Sequence, residues 1–311
     1  MKNFAMIGAA GYIAPRHMKA IKETGNNLIV ALDKNDSVGI IDSFFPNADF
    51  FTEFERFDRH IEKLRRSVES KMIDYVTICS PNYLHDSHVR FALRVGAIPI
   101  CEKPLVLNPW NLDGLEDIEK EYGNKINTIL QLRLHPKIIE LKESIDKSRV
   151  YDVELTTITC RGKWYNISWK GDIPKSGGIT TNIGIHNFDM LIWLFGDVKD
   201  SKVYLLDNDK ASGFLQLERA NVKWYLSLDG KDLAKVGTNY NSPSFRSIKI
   251  DGEEVDFSSG FTDLHTKSYL EILEGRGFKI SDVRRSIELS HNIRTSNISP
   301  VDDIFHHFLK H

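Results

Sequence analysis

Lys103 has the residue type and the setting needed to move a proton. It follows the apolar run Ile98–Cys101 and is locked by the next residue, Pro104. A lysine buried in a crevice beside a positive charge has a lowered pKa, in the range useful for proton transfer. The alternative reading is an ordinary surface lysine.

His186 belongs to a polar stripe on an otherwise apolar segment. Asn182 precedes it by four residues and Asp189 follows it by three, so a helix over Thr180–Phe195 would present all three on one face. Polar groups on such a helix destabilise it unless they are hydrogen-bonded or face a site. The stripe therefore predicts a site, with a satisfied core histidine as the alternative. We predict no metal, because the stripe lacks a signature such as His-Glu-x-x-His.

A glycine turn follows the first apolar run. Gly8, Gly11 and Ala14 form Gly-x-x-Gly-x-x-Ala, in which small residues let the backbone approach a pyrophosphate at a helix N-terminus. Asp33 closes the next run, where a carboxylate accepts a hydrogen bond from a ribose 2′-hydroxyl and repels a 2′-phosphate. Together these features predict a dinucleotide cofactor, NAD rather than NADP.

Apolar runs alternate with amphipathic stretches over the first 130 residues. This alternation predicts a Rossmann-type, doubly wound parallel sheet, whose ligands bind at the carboxyl ends of the strands. The expected strands are Phe4–Ile7, Leu28–Leu32, Tyr75–Cys79, Ile98–Cys101 and Ile126–Leu132. The expected helices are Pro15–Thr24, Glu53–Ser67, Asn82–Val95 and Asn108–Tyr122.

The pattern changes near Arg149. Partly alternating, β-branched and aromatic runs predict an α+β domain with an open, mostly antiparallel sheet. Its expected strands are Tyr151–Arg161, Lys202–Leu206, Gly213–Arg219, Lys223–Asp229 and Phe245–Ile250. Helices are expected over Thr180–Phe195, near Thr266–Glu274, and after Pro136, which opens a connecting helix. We therefore predict an NAD-binding domain over 1–132, and over 133–311 a domain for substrate binding and oligomerisation.

Composition excludes several classes of protein. The chain has 311 residues, 41% of them apolar and 27% charged, with a net charge of -2. These values are typical of a globular protein and give no basic excess for nucleic acid. The longest apolar run has six residues, Met190–Phe195, whereas a membrane span needs about 20. Three cysteines without a Cys-x-x-Cys pair indicate a reducing compartment, so we expect a cytoplasmic protein without a signal peptide.

Four motifs occur together, in one order, over nearly the whole chain. They are the glycine turn, Ser80-Pro81-Asn82 with His85, Glu102-Lys103-Pro104, and the helix with Gly177-Gly178 and His186-x-x-Asp189. Their combination resembles the glucose-fructose oxidoreductase / inositol dehydrogenase / MocA (GFO/IDH/MocA) family. Further stretches resemble its WlbA-like UDP-N-acetylglucosaminuronate 3-dehydrogenase branch, namely Ile7–Met18, Asn127–Arg133, Arg161–Tyr165, Trp169–Asp172, Asp263–Tyr269 and Gly275–Phe278. Most members of the family have Gly-x-Gly-x-x-Gly in the turn and an aspartate four residues before the histidine. This chain has Gly-x-x-Gly-x-x-Ala and Asn182 instead, and the WlbA-like branch resembles it in both respects.

The resemblance implies an NAD-dependent oxidation of a sugar C3 hydroxyl to a 3-keto sugar, in the biosynthesis of O-antigen sugars for lipopolysaccharide. Lys103 and His186 flank the reacting hydroxyl, and which of them is the base stays open. In this branch 2-oxoglutarate reoxidises the bound NADH. The implied cofactor contacts are Gly8, Ala10, Gly11, Tyr12, Ile13, Asp33, Ser80, Pro81, Asn82, His85, Glu102, Lys103 and Gln131. The implied substrate contacts are Lys103, Arg133, Arg161, Lys163, Trp164, Tyr165, Trp169, Lys170, Asn182 and His186.

A UDP-uronic acid carries a diphosphate and a carboxylate, which cations and aromatic walls recognise. The stretch from Arg161 to Lys170 offers both, although a surface loop with extended cations is the alternative. The resemblance also implies a homodimer or homotetramer through the sheet of the second domain. The strand pattern predicts that one face of this sheet exposes apolar residues, namely Phe214, Leu217, Trp224 and Leu226.

Two other functions stay open at this point. One is another dehydrogenase of the family, acting on a free sugar, an inositol or a different nucleotide sugar. The other is a non-catalytic, nucleotide-sensing regulator on the same fold. The presence of both Lys103 and His186 favours an enzyme.

Overall fold

The computed structural model describes residues 1–67, 72–236 and 244–310. The chain divides into two units: unit 1 comprises Met1–Gln131 and Thr262–Arg284, and unit 2 comprises Leu132–Phe261 and Arg285–His311. The second segment of unit 1 lies within the range 133–311 that we assigned to one functional domain. The assignment of functions to domains stays a prediction.

The strands and helices of the described residues are as follows. The strands are β1 Asn3–Ile7, β2 Asn27–Leu32, β3 Asp49–Phe51, β4 Tyr75–Ile78, β5 Ile98–Cys101, β6 Asn127–Thr128, β7 Tyr151–Thr159, β8 Val198–Leu206, β9 Lys210–Leu217, β10 Ala220–Ser227, β11 Ser244–Ile250 and β12 Glu253–Asp256. The α-helices are α1 Ala14–Glu23, α2 Phe54–Ser67, α3 His85–Arg94, α4 Pro109–Tyr122, α5 Pro136–Ser144, α6 Trp164–Ile167, α7 Ile173–Ser176, α8 Gly178–Asn182, α9 Gly184–Phe195, α10 Leu264–Leu273 and α11 Ile280–Thr295.

Unit 1 contains a six-stranded sheet in the order β3-β2-β1-β4-β5-β6. Every pair in it is parallel, which confirms the predicted Rossmann-type sheet. Two details differ from expectation: β3 was not predicted, and the expected strand Ile126–Leu132 pairs only over Asn127–Thr128. Helix α10, from late in the sequence, packs against α1.

Unit 2 contains a second six-stranded sheet, in the order β12-β11-β7-β10-β9-β8. The pair β7–β10 is parallel and the other four pairs are antiparallel, which confirms an open, mostly antiparallel sheet. One face of this sheet packs on α9, where Phe188 meets Trp224 edge-on at 5.4 Å. The expected helix after Pro136 is α5.

The structure corrects two expectations for unit 2. The helix predicted over Thr180–Phe195 is two helices, α8 and α9, separated at Ile183, just before Gly184. Glycine inside a helix is unfavourable by about 1 kcal/mol relative to alanine, which fits a break at this point. The apolar face expected to be exposed is also absent, because Phe214, Leu217, Trp224 and Leu226 are at most 8% exposed. The last three lie in the core of unit 2 itself.

No helix in the described parts of the chain is long and apolar enough to cross a membrane. The three cysteines, Cys79, Cys101 and Cys160, are all free thiols.

Candidate active site

The glycine turn is packed so closely that it excludes side chains. Gly8 has φ +92°, and a Cβ there would lie 2.6 Å from the carbonyl carbon of Cys79 and 2.7 Å from the amide nitrogen of Ser80. The Gly8 amide donates to the Leu32 carbonyl at 2.8 Å. The turn between β1 and α1 thus rests against the ends of β2 and β4, with bare backbone leading to the N-terminus of α1. This cradle fits the pyrophosphate of a dinucleotide.

Asp33, at the end of β2, is bonded to the turn itself. Its Oδ2 accepts from the amide of Ala10 at 2.9 Å, and its Oδ1 accepts from the amide of Asn35 at 2.9 Å. A carboxylate offers about four acceptor positions, so these bonds leave capacity for a ribose hydroxyl. The role of Asp33 in choosing NAD stays a prediction, joined now by an observed role in shaping the turn.

The loops after β4 and β5 are joined by His85. Its Nδ1 lies 2.7 Å from the Pro104 carbonyl and its Nε2 lies 2.8 Å from the Ser80 carbonyl. The Ser80 hydroxyl in turn lies 2.8 Å from Nδ1 of His88, a buried histidine of α3. His85 therefore ties together two motifs through Ser80 and Pro104, which are 24 positions apart in the sequence. Its predicted contact with the cofactor stays a prediction.

Glu102, which directly precedes the half-buried Lys103, is a buried carboxylate surrounded by histidines. Its Oε1 lies 2.8 Å from Nε2 of His17 and 3.1 Å from Nε2 of His265, and its Oε2 accepts from the Lys103 amide at 3.2 Å. Burial alone raises the pKa of Glu102, but the bonds from both imidazoles outweigh it and hold that pKa well below its usual value. The predicted cofactor contact Gln131 lies 3.0 Å from Nε2 of His265.

Sequence reasoning missed His17, although a signal was present. Ala14, Met18 and Ile21 form the buried stripe of α1, and His17 lies on the same stripe at helical spacing. A histidine on an apolar stripe needs a buried partner. His265 and Tyr269 entered only as part of a stretch that resembled the family, without a role.

In unit 2, the polar stripe of Asn182, His186 and Asp189 lies close to Tyr165 and Arg133 through its first and last members. Asp189 accepts two hydrogen bonds from Arg133, from Nε and Nη2, both at 2.9 Å and both residues buried. Asn182 donates from Nδ2 to the Tyr165 hydroxyl at 2.5 Å. His186, in the first turn of α9, is half-buried. Arg133, which we expected to bind substrate, therefore has its charge compensated within the protein.

The other three cations of the predicted anion site lie on one loop. The ammonium of Lys170 lies 4.6 Å from the ring centre of Trp169 and 5.4 Å from that of Trp164. Burial and the nearby charge of Arg161 lower the pKa of Lys170. Among the residues that the structure describes, Arg161, Lys163 and Lys170 form no ion pair with a carboxylate. Lys170 is half-buried and Arg161 and Lys163 are exposed, and cations without a carboxylate partner in the described residues are suited to an anionic ligand.

Comparisons with known proteins agree with this geometry. Residues 2–129 match an oxidoreductase family model described as an NAD-binding Rossmann fold, and residues 141–254 match the C-terminal alpha/beta domain of the same family. The chain is 46% identical to the WlbA (WbpB) dehydrogenase of Thermus thermophilus in complex with NAD and alpha-ketoglutarate, with 99% of each chain covered and a TM-score of 0.95. A second structure of that dehydrogenase, with NAD and UDP-GlcNAcA, is 45% identical, covers 99% and 100% of the two chains and has a TM-score of 0.95.

More distant relatives share shorter segments. The inositol 2-dehydrogenase of Rhizobium meliloti is 27% identical over 195 residues, which are 62% of this chain and 55% of that protein. The D-glucoside 3-dehydrogenase of Escherichia coli is 26% identical over 40% of this chain and 36% of that protein. The chain thus matches only about a third to a half of these two curated relatives.

The fold and the glycine cradle define an NAD-binding oxidoreductase. The chain belongs to the GFO/IDH/MocA oxidoreductase family and, within it, to the WlbA-like branch.

Proposed function

We propose that this protein oxidises the C3 hydroxyl of UDP-N-acetyl-D-glucosaminuronate to the 3-keto sugar, with NAD as oxidant. The observation that carries the proposal is the 46% and 45% identity, over 99% of the chain, to a dehydrogenase crystallised with NAD and with UDP-GlcNAcA. The uncompensated cations on the Arg161–Lys170 loop support an acidic nucleotide sugar, because a diphosphate and a carboxylate both need positive partners.

NAD, when bound, would supply the hydride acceptor, and the side chains of this protein would have to remove the proton. Oxidation of an alcohol leaves an alkoxide in a poorly solvated site unless a base takes the hydroxyl proton. We propose that Lys103 and His186 act on that proton as a pair, as the family resemblance implies. Which of the two is the base stays open, because the protons of an interacting pair are lost in steps that belong to the pair.

The loop around Trp164 supplies the recognition of the acid group in this proposal. Lys170, whose ammonium lies near the rings of Trp164 and Trp169, and the exposed Arg161 and Lys163 contact the anionic groups of the substrate in this proposal. Trp164, which is 52% exposed, offers an aromatic wall.

We further propose that 2-oxoglutarate reoxidises the bound NADH, since the Thermus protein is crystallised with alpha-ketoglutarate. The product then serves the synthesis of O-antigen sugars, and the enzyme works as a homodimer or homotetramer.

The test is formation of NADH, followed at 340 nm, with UDP-N-acetylglucosaminuronate and the neutral UDP-N-acetylglucosamine. We expect turnover of the acid and a loss of at least 10-fold in kcat/KM with the neutral sugar, as for an unpaired charge-assisted contact. Lys170→Met should narrow that difference. Lys199→Met, an exposed lysine of β8 outside the loop, is the matched control and should leave it unchanged. Equal turnover of both sugars by the unaltered protein would refute the acidic substrate.

A second candidate is a dehydrogenase for a free sugar or an inositol, which the segments shared with the inositol and glucoside dehydrogenases favour. Myo-inositol and methyl glucoside in the same assay distinguish it. Binding of UDP-sugars without formation of NADH would instead favour a non-catalytic, nucleotide-sensing regulator.

A further inference from the structure

A continuous chain of hydrogen bonds ends on Glu102. The hydroxyl of Thr77 lies 2.8 Å from the hydroxyl of Tyr269, which lies 2.9 Å from Nδ1 of His17. Nε2 of His17 then lies 2.8 Å from Oε1 of Glu102. All four side chains are buried, and their residues come from β4, α10, α1 and the end of β5. Nothing in the proposed reaction uses His17, Tyr269 or Thr77.

One arrangement of protons satisfies the whole chain. An ionised Glu102 can only accept, so His17 must carry its proton on Nε2. Burial lowers the pKa of His17, so the ring is neutral and its Nδ1 is an acceptor. The Tyr269 hydroxyl must then donate to Nδ1, and the Thr77 hydroxyl must donate to Tyr269. Every hydrogen bond in the chain therefore donates towards the next residue, and the last one donates to the carboxylate of Glu102.

We propose that His17, His265 and Tyr269 are positioning residues, which fix Glu102 as an anion and through it the backbone from which Lys103 extends. The link to Lys103 is direct, because Oε2 of Glu102 accepts the Lys103 amide while Oε1 is held by the two imidazoles. This inference rests on the proposed function for the catalytic role of Lys103, but the hydrogen-bond network itself does not.

The surroundings of Glu102 make its charge depend on these partners. The other titratable groups that face it are the thiols of Cys79 and Cys101 and the ring of His85. The raised pKa values of both buried thiols leave them neutral. Lys103 follows Glu102 directly in the chain, and the charges of both residues act on the ring of His85. Without the donors from His17 and His265, burial alone would favour the protonated carboxyl.

His17, Glu102 and His265 lie close enough together to hold a metal ion, and two imidazoles with a carboxylate are suitable ligands. The geometry favours hydrogen bonds. Both nitrogens of His17 already have partners, and Glu102 is bonded through both of its oxygens.

The first test follows the protons directly and needs no turnover. In the NAD-bound protein, 15N spectra of the histidines should show His17 as a neutral ring protonated on Nε2. The amide resonance of Lys103 should stay constant between pH 5 and 8. In His17→Leu it should titrate within that range, because Glu102 loses a donor and its pKa rises. If the Lys103 amide is equally constant in His17→Leu, the proposal is wrong, whatever the substrate is.

The second test is kinetic and separates positioning from stability. His17→Leu should lower kcat by about 10- to 100-fold, the size of effect found for residues that orient metal-binding side chains. The acid limb of its pH profile should move to higher pH, while His17→Gln, which can still donate to Glu102, should restore most of the rate. Tyr269→Phe should lower kcat by about 2- to 10-fold, the size of one hydrogen bond.

The matched control is Tyr75→Phe. Tyr75 and Tyr269 both stack on Phe4, at 4.9 and 5.8 Å, but Tyr75 is outside the network, so its loss of a hydroxyl should leave kcat unchanged. If Tyr269→Phe and His17→Leu behave like this control, with the pH profile of the unaltered enzyme, the network is merely structural. A stoichiometric metal in the purified protein that disappears in His17→Leu would also overturn the proposal. Absence of activity with every sugar would contradict the proposed function alone.

Discussion

Glu102 in unit 1 and Asp189 in unit 2 are both buried carboxylates, and each is close in sequence to a candidate catalytic residue. The protein stabilises these two charges in different ways. Asp189 receives two hydrogen bonds from Arg133, whose charge is permanent. Glu102 is held by two imidazoles, whose charge and proton positions depend on their surroundings. A guanidinium stabilises the carboxylate by its own permanent charge, whereas a neutral imidazole stabilises it only by donating a hydrogen bond.

The largest expected effect tests whether both anchored regions serve one reaction. Lys103→Met and His186→Asn should each lower the rate of single-turnover NADH formation by about 10²–10⁴-fold, as for the loss of a general base. NAD affinity, measured by fluorescence titration, should change far less. The double variant should lose much less than the product of the two single losses, because the pair acts as a unit.

If both single variants keep near wild-type rates, Lys103 and His186 are not catalytic. The comparison of Glu102 with Asp189 would then say nothing about the reaction. A loss in only one of them would assign the chemistry to one unit.

The next effect is on stability and contrasts the two carboxylates directly. Asp189→Asn leaves a buried guanidinium without its carboxylate and should lower the free energy of unfolding by about 3–5 kcal/mol. Glu102→Gln leaves imidazoles that can be neutral and should lower it by about 1–3 kcal/mol, the size of lost hydrogen bonds. Urea unfolding of both variants measures the difference. Arg133→Met with Asp189→Leu is the control and should recover most of the loss.

A third carboxylate, Asp33, is half-buried and serves both the turn and, in our prediction, the ribose. Asp33→Ala should weaken NAD binding by about 1.5–3 kcal/mol, as for hydrogen bonds to a charged group. Asp33→Asn retains an acceptor for the Ala10 amide but removes the charge, so it should bind NADP more tightly than the unaltered protein does. Calorimetric titration with both cofactors checks this, and equally tight binding of NAD and NADP by the unaltered protein would contradict it.

The smallest effect concerns pH. Burial lowers the pKa of His88 to about 4, whereas its unfolded value is 6.5. The unfolded chain therefore binds a proton that the folded protein does not, so stability falls as the pH drops below 6.5 towards 4. Between pH 7.5 and 5.5 the loss from His88 should be about 1 kcal/mol. His88→Asn should reduce the fall measured by urea unfolding by that amount, and an identical fall in the variant would contradict the assignment.

Much of the fold could be predicted because its signals are local. The apolar runs that became β1, β2, β4 and β5 alternate with amphipathic helices, and this alternation specifies a parallel sheet. The glycine turn was recognisable from its spacing. The break at Ile183 was not, since the apolar pattern continues across it.

The candidate site was predicted less completely. The residue types at Lys103, His186 and Lys170 were visible, and their setting after strands or on a helix followed from the pattern. The compensation of Arg133 by Asp189 was not visible, because a sequence shows a charge but not its partner. The expected apolar surface around Trp224 was wrong for a related reason: alternation identifies two faces of a strand, and only packing decides what covers each face.

Periodicity and turn chemistry act over a few residues, so most of the helices and strands, their order and the motifs at their ends follow from the amino-acid sequence. Tertiary structure alone decided which distant side chains meet. His17 and His265 are 85 and 163 residues away from Glu102 in the chain, yet both contact its carboxylate. Such contacts arise when α1 and α10 pack beside the end of β5, and the energy of packing does not appear in any local pattern.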